Sequence, residues 1–171
     1  MRFVVTGEWT RNRLLKAIVC CFLGYTFLLW VSNFGMWFAH MGLTPQSVVD
    51  YYLGNEATFQ QPRTAQGMLE VLHFHSFAMG MLLLTLTHLM LFVPLSMRVK
   101  AWGICLAFVS GIGDELSGWA VRFVHPGFAW LKLGMFATLQ LVLLWLMVLV
   151  LRALLFDQPS AYRQSEGPST T

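Results

Sequence analysis

The chain has 171 residues, of which 57% are hydrophobic, 15% aromatic and only 11% charged. Soluble domains carry about 25% charged residues, so this composition excludes a water-soluble globular enzyme and indicates an integral membrane protein. The formal net charge of +3 follows from the placement of Lys and Arg about a membrane, and needs no nucleic acid to explain it.

A membrane-crossing helix takes about 20 mostly apolar residues. Four such segments are expected, over 17–38, 72–95, 102–121 and 128–151, which makes residues 1–156 a single four-span domain: an all-α, integral membrane four-helix bundle. The first apolar run follows a basic segment, but it is longer than a signal-peptide core and has no A-x-A-like exit, so it reads as a retained span. With four crossings, Arg2, Arg11, Arg13, Lys16, Arg98, Lys100, Arg152 and Arg163 share one side, Arg63 and Arg122 take the other, and Lys132 lies within a span. The positive-inside rule then puts both termini in the cytoplasm, with a bacterial inner membrane as the expected location.

The start, Met1 to Lys16, mixes Phe3, Val4, Val5 and Trp9 with charges and is expected at the cytoplasmic interface. Cys20, Cys21 and Cys105 make no spaced metal or redox pair and read as small core residues. Trp37, Phe38 and His40 close the first span as an outer aromatic belt. In the outer loop, 41–67, Thr44-Pro45 is a helix start. Val48, Val49, Tyr51, Tyr52 and Leu53 supply an apolar stripe that stops at Gly54-Asn55, so a short helix should lie over the outer mouth of the bundle. Phe59 to Thr64, interrupted by Pro62, should be irregular.

The second span opens on Glu70-Val71-Leu72-His73-Phe74-His75 and returns to a third histidine at His88. At 100° per residue, His73, Phe77, Gly80, Leu84, Thr87 and Leu91 form one stripe, Glu70 and His88 sit about 60° to its side, and His75 lies about 160° from His73. His73 and His75 therefore enter one pocket only if the helix is distorted. In the third span Gly103, Ala107, Ser110, Gly111, Asp114 and Gly118 form a small-residue seam suited to close helix packing. Asp114 and Glu115, roughly 10 Å deep, are expected to form a buried charge pair with Lys132 of the fourth span, because a buried charge needs a compensating neighbour. Gln140 is expected to hydrogen-bond across the bundle, and residues 157–171 to form a flexible cytoplasmic tail.

This threading sets His40, His73, His75 and His125 at the outer level with Glu70, Asp114, Glu115, Arg122 and Lys132 around them, and leaves His88 near the inner half. Ionisable groups within a membrane are functional candidates by default. Two imidazoles from facing helices can clamp a haem iron. Gly80 and the third-span glycines would leave room for the porphyrin, with Arg122 or Lys132 at its propionates. No C-x-x-C-H occurs, so such a haem is held noncovalently. His73 and His88 stand roughly 22 Å apart along the helix axis.

In this spacing the second span resembles the paired-histidine helices of membrane b-type cytochromes, four-helix bundles that carry electrons between quinone and partner redox proteins. The resemblance covers one span and the helix count. It implies a single haem b in the outer half, ligated by His73 or His75 and by His125 or His40, and electron exchange with a quinone and with membrane or periplasmic redox subunits. His88 departs from the two-haem pattern, since no other histidine lies at its level.

Two other readings fit the residues. One copper, zinc or iron ion suits His73, His75 and His125, or His40, His73 and His125 with Glu115. Glu70-x-x-His73 occurs once, whereas di-iron bundles use that motif twice. The other is a cofactor-free accessory or assembly subunit of a larger membrane complex. The chain has no phosphate-binding glycine loop, G-x-S-x-G or H-E-x-x-H, which speaks against an independent enzyme with a small-molecule substrate.

Overall fold

A computed structural model describes residues 13–156. The amphipathic start, apart from its last four residues, and the tail at 157–171 lie outside the described residues. Five helices follow in order: α1 (Arg13–His40), α2 (Pro45–Leu53), α3 (Ala65–Met90), α4 (Met97–Phe123) and α5 (Ala129–Phe156). Four of them, α1, α3, α4 and α5, are long and apolar enough to cross a membrane. The chain is an integral membrane protein of the all-α class.

Capping chemistry rather than hydropathy sets the helix ends. Thr64 accepts the Gly67 N–H at 3.1 Å and starts α3 seven residues before its apolar run. Ser96 does the same for α4 through Val99, and Lys100 donates to the Leu91 carbonyl at 2.7 Å, tying down the turn at 91–96. Thr44 caps α2 with Pro45 in its first turn, as the sequence indicates.

The bundle is built on α5, against which α1, α3 and, most extensively, α4 pack. Leu139, Val142, Leu143, Leu146, Met147 and Val150 of α5 anchor the core. The small residues of α4 make the close approach to it possible: a Cβ on Gly103 would stand 2.7 Å from the Trp145 ring, and one on Gly113 2.8 Å from Met135 Sδ. A second core cluster occupies the end of the bundle that carries α2, here called the loop end. It joins Trp37, Val48, Tyr52, Met68, Val121, Ala129 and Phe136.

Several expectations about faces are corrected. Trp37 is buried, with its ring stacked on Phe136 at 3.9 Å, so it is a core residue rather than part of a belt. Of the α3 stripe, His73, Phe77 and Leu84 face outward, as does Leu91 just past the helix end, Gly80 is half-buried and Thr87 is buried, while Met68, Leu83, Leu86 and Met90 fill the core. Cys20, Cys21 and Cys105 are exposed on the bundle surface. Lipid and protein core are equally apolar solvents for Leu, Phe or a thiol, so hydropathy does not tell the two sides apart. Gln140 does take part in a cross-bundle bond, but through its backbone carbonyl, which accepts the Trp30 indole N–H at 3.0 Å; its side-chain Oε1 is buried without a partner.

The segment after α2 folds back on itself. Asn55 and Gln60 exchange two backbone hydrogen bonds of 3.0 Å, and the Arg63 N–H donates to the Tyr52 carbonyl at 3.1 Å. Gly54 makes the turn at φ 84°, with the Gln60 carbonyl oxygen only 2.6 Å from where a Cβ would stand. Gly54→Ala is therefore expected to cost about 1–3 kcal/mol and to lower the melting temperature in detergent, whereas Gly35→Ala, whose Cβ would meet nothing within 4 Å, should leave it nearly unchanged. Equal melting temperatures for the two variants would contradict the constraint.

Candidate functional site

One turn into α5, Lys132 is 6% exposed, in a position that lipid and protein would otherwise surround. Its ammonium lies 2.8 Å from Asp114 Oδ1 and donates a second bond of 2.9 Å to the Asp114 backbone carbonyl, which also accepts the Ser117 hydroxyl at 2.8 Å. A charge at this depth is tolerable only when it is neutralised and hydrogen-bonded. The Trp37 ring, 5.8 Å from Lys132 Nζ, closes the pair off on one side.

Glu115 is turned elsewhere. One residue further along α4 is a rotation of about 100°, and its Oε1 faces His75 Nδ1 of α3 at 3.8 Å. The expected three-residue charge group thus divides into Lys132 with Asp114 and Glu115 with His75. His75, half exposed, and Glu115, about a quarter exposed, line a cleft of about 360 Å³ between α3 and α4. Its polar end holds His75, Ser76 and Glu115; beyond them the walls are Met79, Gly80, Leu83, Phe108, Gly111 and Ile112. A Cβ on Gly80 would meet nothing within 4 Å, so this glycine leaves open space.

A second cleft, of about 310 Å³, lies on the loop side of the first, walled by α2, the segment 61–64, α3 and α4. Tyr52, Arg63, Thr64, Met68 and Trp119 line it, and so does Glu115. Tyr52 is seated against α4 because Gly118 has no side chain: a Cβ there would fall 2.5 Å from the Tyr52 hydroxyl. Burial pushes the Tyr52 phenol above its ordinary pKa, against the pull of the nearby Lys132 charge, so it stays a neutral hydroxyl. Arg63 lies over the Tyr51 ring at 4.2 Å, and the Arg122 Nε–H donates to the Arg63 carbonyl at 2.9 Å.

The remaining histidines stand apart from this cluster. His73 is exposed beside Phe74, His88 is exposed beside Phe92, and His40 rests against Tyr51 with ring centroids 5.5 Å apart. His125 uses Nδ1 to accept the Gly127 N–H at 2.9 Å, capping the short turn Pro126–Phe128. Glu70 accepts from the Gln66 side chain. A haem clamp needs two imidazoles facing across one space, but His75 faces a carboxylate and His125 is turned onto its own backbone. Lys132 and Arg122, the expected propionate partners, are bonded to Asp114 and to the Arg63 carbonyl. His75 and His125 are thus not disposed as a facing pair of haem ligands. Nor is there, among the described residues, a group of three His, Cys, Asp or Glu side chains placed to hold a metal ion, whether at His73, His75 and His125 or at the set with His40 and Glu115.

Trp37, Tyr52 and Trp119 were not singled out as site residues from the sequence. Tyr52 had one signal, its place in the apolar stripe of α2, but its partner Gly118 is remote in the chain and appears only once α2 lies across α4.

Breaking a buried ion pair by removing one member costs about 3–5 kcal/mol, while replacing both with apolar groups can be neutral. Asp114→Ala should therefore reduce yield and melting temperature sharply, and Asp114→Ala combined with Lys132→Met should restore most of the loss. Additive losses in a double-mutant cycle would show that the contact carries no coupling.

A family model described as a transmembrane helical domain, Aq_1264_TM, matches residues 42–161, from the loop before α2 to beyond α5. No curated protein and no solved structure matches the chain. With more than half of its length matched, the chain belongs to this family of transmembrane helical domains.

Proposed function

We propose that this chain is an electron-transfer subunit of a membrane complex and that it holds a quinone or quinol in the cleft between α3 and α4. The observation that carries the reading is the His75–Glu115 pair, an imidazole and a carboxylate facing each other at 3.8 Å at the polar end of an otherwise apolar cleft. That separation is too long for a direct hydrogen bond, which leaves both groups available to a ligand hydroxyl or carbonyl. A quinone head group matches that end, and an isoprenoid tail matches the wall of Met79, Gly80, Leu83 and Phe108.

Oxidation of a quinol releases two protons and two electrons. Imidazole and carboxylate are the side chains suited to accept such protons. The electrons pass to a one-electron carrier, a haem or iron–sulfur centre, on a partner redox subunit. Phe74 and Phe77, 74% and 75% exposed on α3 beside His73, offer a face for that partner, since an outward ionisable group in a span favours a protein neighbour over lipid. Arg13, Lys16, Arg98, Lys100 and Arg152 all lie at the end of the bundle opposite α2, so the positive-inside rule supports a loop end facing outward from a bacterial inner membrane.

Equilibrium binding of decylubiquinone to the protein in lipid nanodiscs tests the reading. Loss of a hydrogen bond to a charged group is worth about 1.5–3 kcal/mol, so His75→Leu and Glu115→Leu should each weaken binding about tenfold or more. Gly80→Phe, which fills the cleft, should abolish it, while Gly24→Phe on α1, also in open space, should not. Affinity unchanged in the three cleft variants would sink the proposal and favour a cofactor-free accessory subunit.

A further inference from the structure

Glu115 belongs to the walls of both clefts, the apolar one between α3 and α4 and the polar one beneath the segment 61–64. We infer that the second cleft is a water-filled vestibule through which Glu115 exchanges protons with the aqueous phase at the loop end. The inference rests on the quinol reading for what Glu115 serves, but its geometry is independent of it.

The vestibule has the lining that water requires. Residues with polar side chains, Tyr51, Tyr52, Gln61, Arg63, Thr64 and Glu115, make up about half of the lining of a volume of about 310 Å³, enough for roughly ten waters at about 30 Å³ each. Its roof is fixed rather than loose, because the Arg63 carbonyl accepts from Arg122 and the Arg63 N–H donates to Tyr52.

The charges around Glu115 also single it out. On α5, Lys132 is engaged by Asp114 at 2.8 Å; on α4, Asp114 is engaged by Lys132. Tyr52 of α2 remains a phenol, and the Arg63 guanidinium lies over Tyr51. The facing group on α3 is His75. Glu115 is thus the carboxylate whose proton can move without breaking the buried ion pair. In quinol oxidation, His75 and Glu115 take one O–H proton each while the two electrons leave one at a time, each reducing one equivalent of the partner's one-electron carrier, which passes the first on before the second arrives. Glu115 releases its proton to the vestibule water and then takes the one held by His75 through a bridging water, which the 3.8 Å separation requires.

The experiment is sided thiol labelling in proteoliposomes, with Cys20, Cys21 and Cys105 replaced by Ala and a membrane-impermeant, negatively charged methanethiosulfonate added from the loop side. Three single variants are compared: Trp119→Cys on the vestibule wall, Ile112→Cys on the α3–α4 cleft wall only, and Glu115→Cys on both. Glu115→Cys should react at a rate close to that of Trp119→Cys and at least tenfold faster than Ile112→Cys. Labelling of Glu115→Cys as slow as that of Ile112→Cys overturns the vestibule, even if the unmodified protein binds decylubiquinone. Fast labelling supports it even if no decylubiquinone binds, in which case it is the quinol reading that has failed. Should Glu115→Cys not assemble, modification of native Glu115 by a water-soluble carbodiimide from the loop side, mapped by mass spectrometry, gives the same decision: modified supports the vestibule, unmodified overturns it.

Discussion

A lysine ammonium placed among apolar helices has to be neutralised, and the 2.8 Å contact of Lys132 with Asp114 does this while joining α4 to α5 near the loop end. Much of the local architecture depends on it. The second bond from Lys132, to the Asp114 carbonyl, fixes the ammonium against the α4 backbone as well as its side chain. Trp37 and Phe136 stack beside the pair, and α2 packs across α4 and α5 in the same region. With Asp114 turned toward α5, the next residue of a regular helix points away by about 100°, and Glu115 is thereby directed to α3 and His75. The structural pair and the chemically available pair are consecutive products of one helical turn.

Close helix approach supplies the other constraint. Gly103, Ala107, Ser110, Gly111 and Gly118 are buried on α4, so α5 and Tyr52 come near its backbone. On the α3 side, Gly80, whose Cβ would meet nothing within 4 Å, thins the wall of the cleft between α3 and α4, while Gly111 across it lets Leu83 pack close to the α4 backbone. Small residues thus do two opposite things in this bundle: they close one interface and open another.

The number of spans was legible because four apolar runs of sufficient length have few other fates, and α2 was legible from Thr44, Pro45 and Gly54. Helix starts were missed where a cap such as Thr64 lies well ahead of the apolar run. The inward face of α3 was not legible, since Phe77 and Leu84 suit lipid as well as Leu83 and Leu86 suit the core. For the site, Asp114, Glu115, Lys132 and His75 stood out as ionisable groups in apolar spans, and the pairing of Lys132 with an acid followed from the cost of a buried charge. What remained hidden was azimuth. Four histidines at one membrane level looked like a constellation, but depth along an axis says nothing about direction around it, and only His75 faces the α3–α4 cleft. The same limit concealed Tyr52 over Gly118 and the double position of Glu115.

The most direct test of the account is photo-cross-linking with an azidoquinone in native-like membranes, with the adducts mapped by mass spectrometry. The account expects adducts concentrated on the α3 and α4 residues of the cleft, around His75 to Leu83 and Phe108 to Leu116, and suppressed by excess decylubiquinone. Adducts scattered over the exposed faces of all four spans, and undiminished by the competitor, would contradict it.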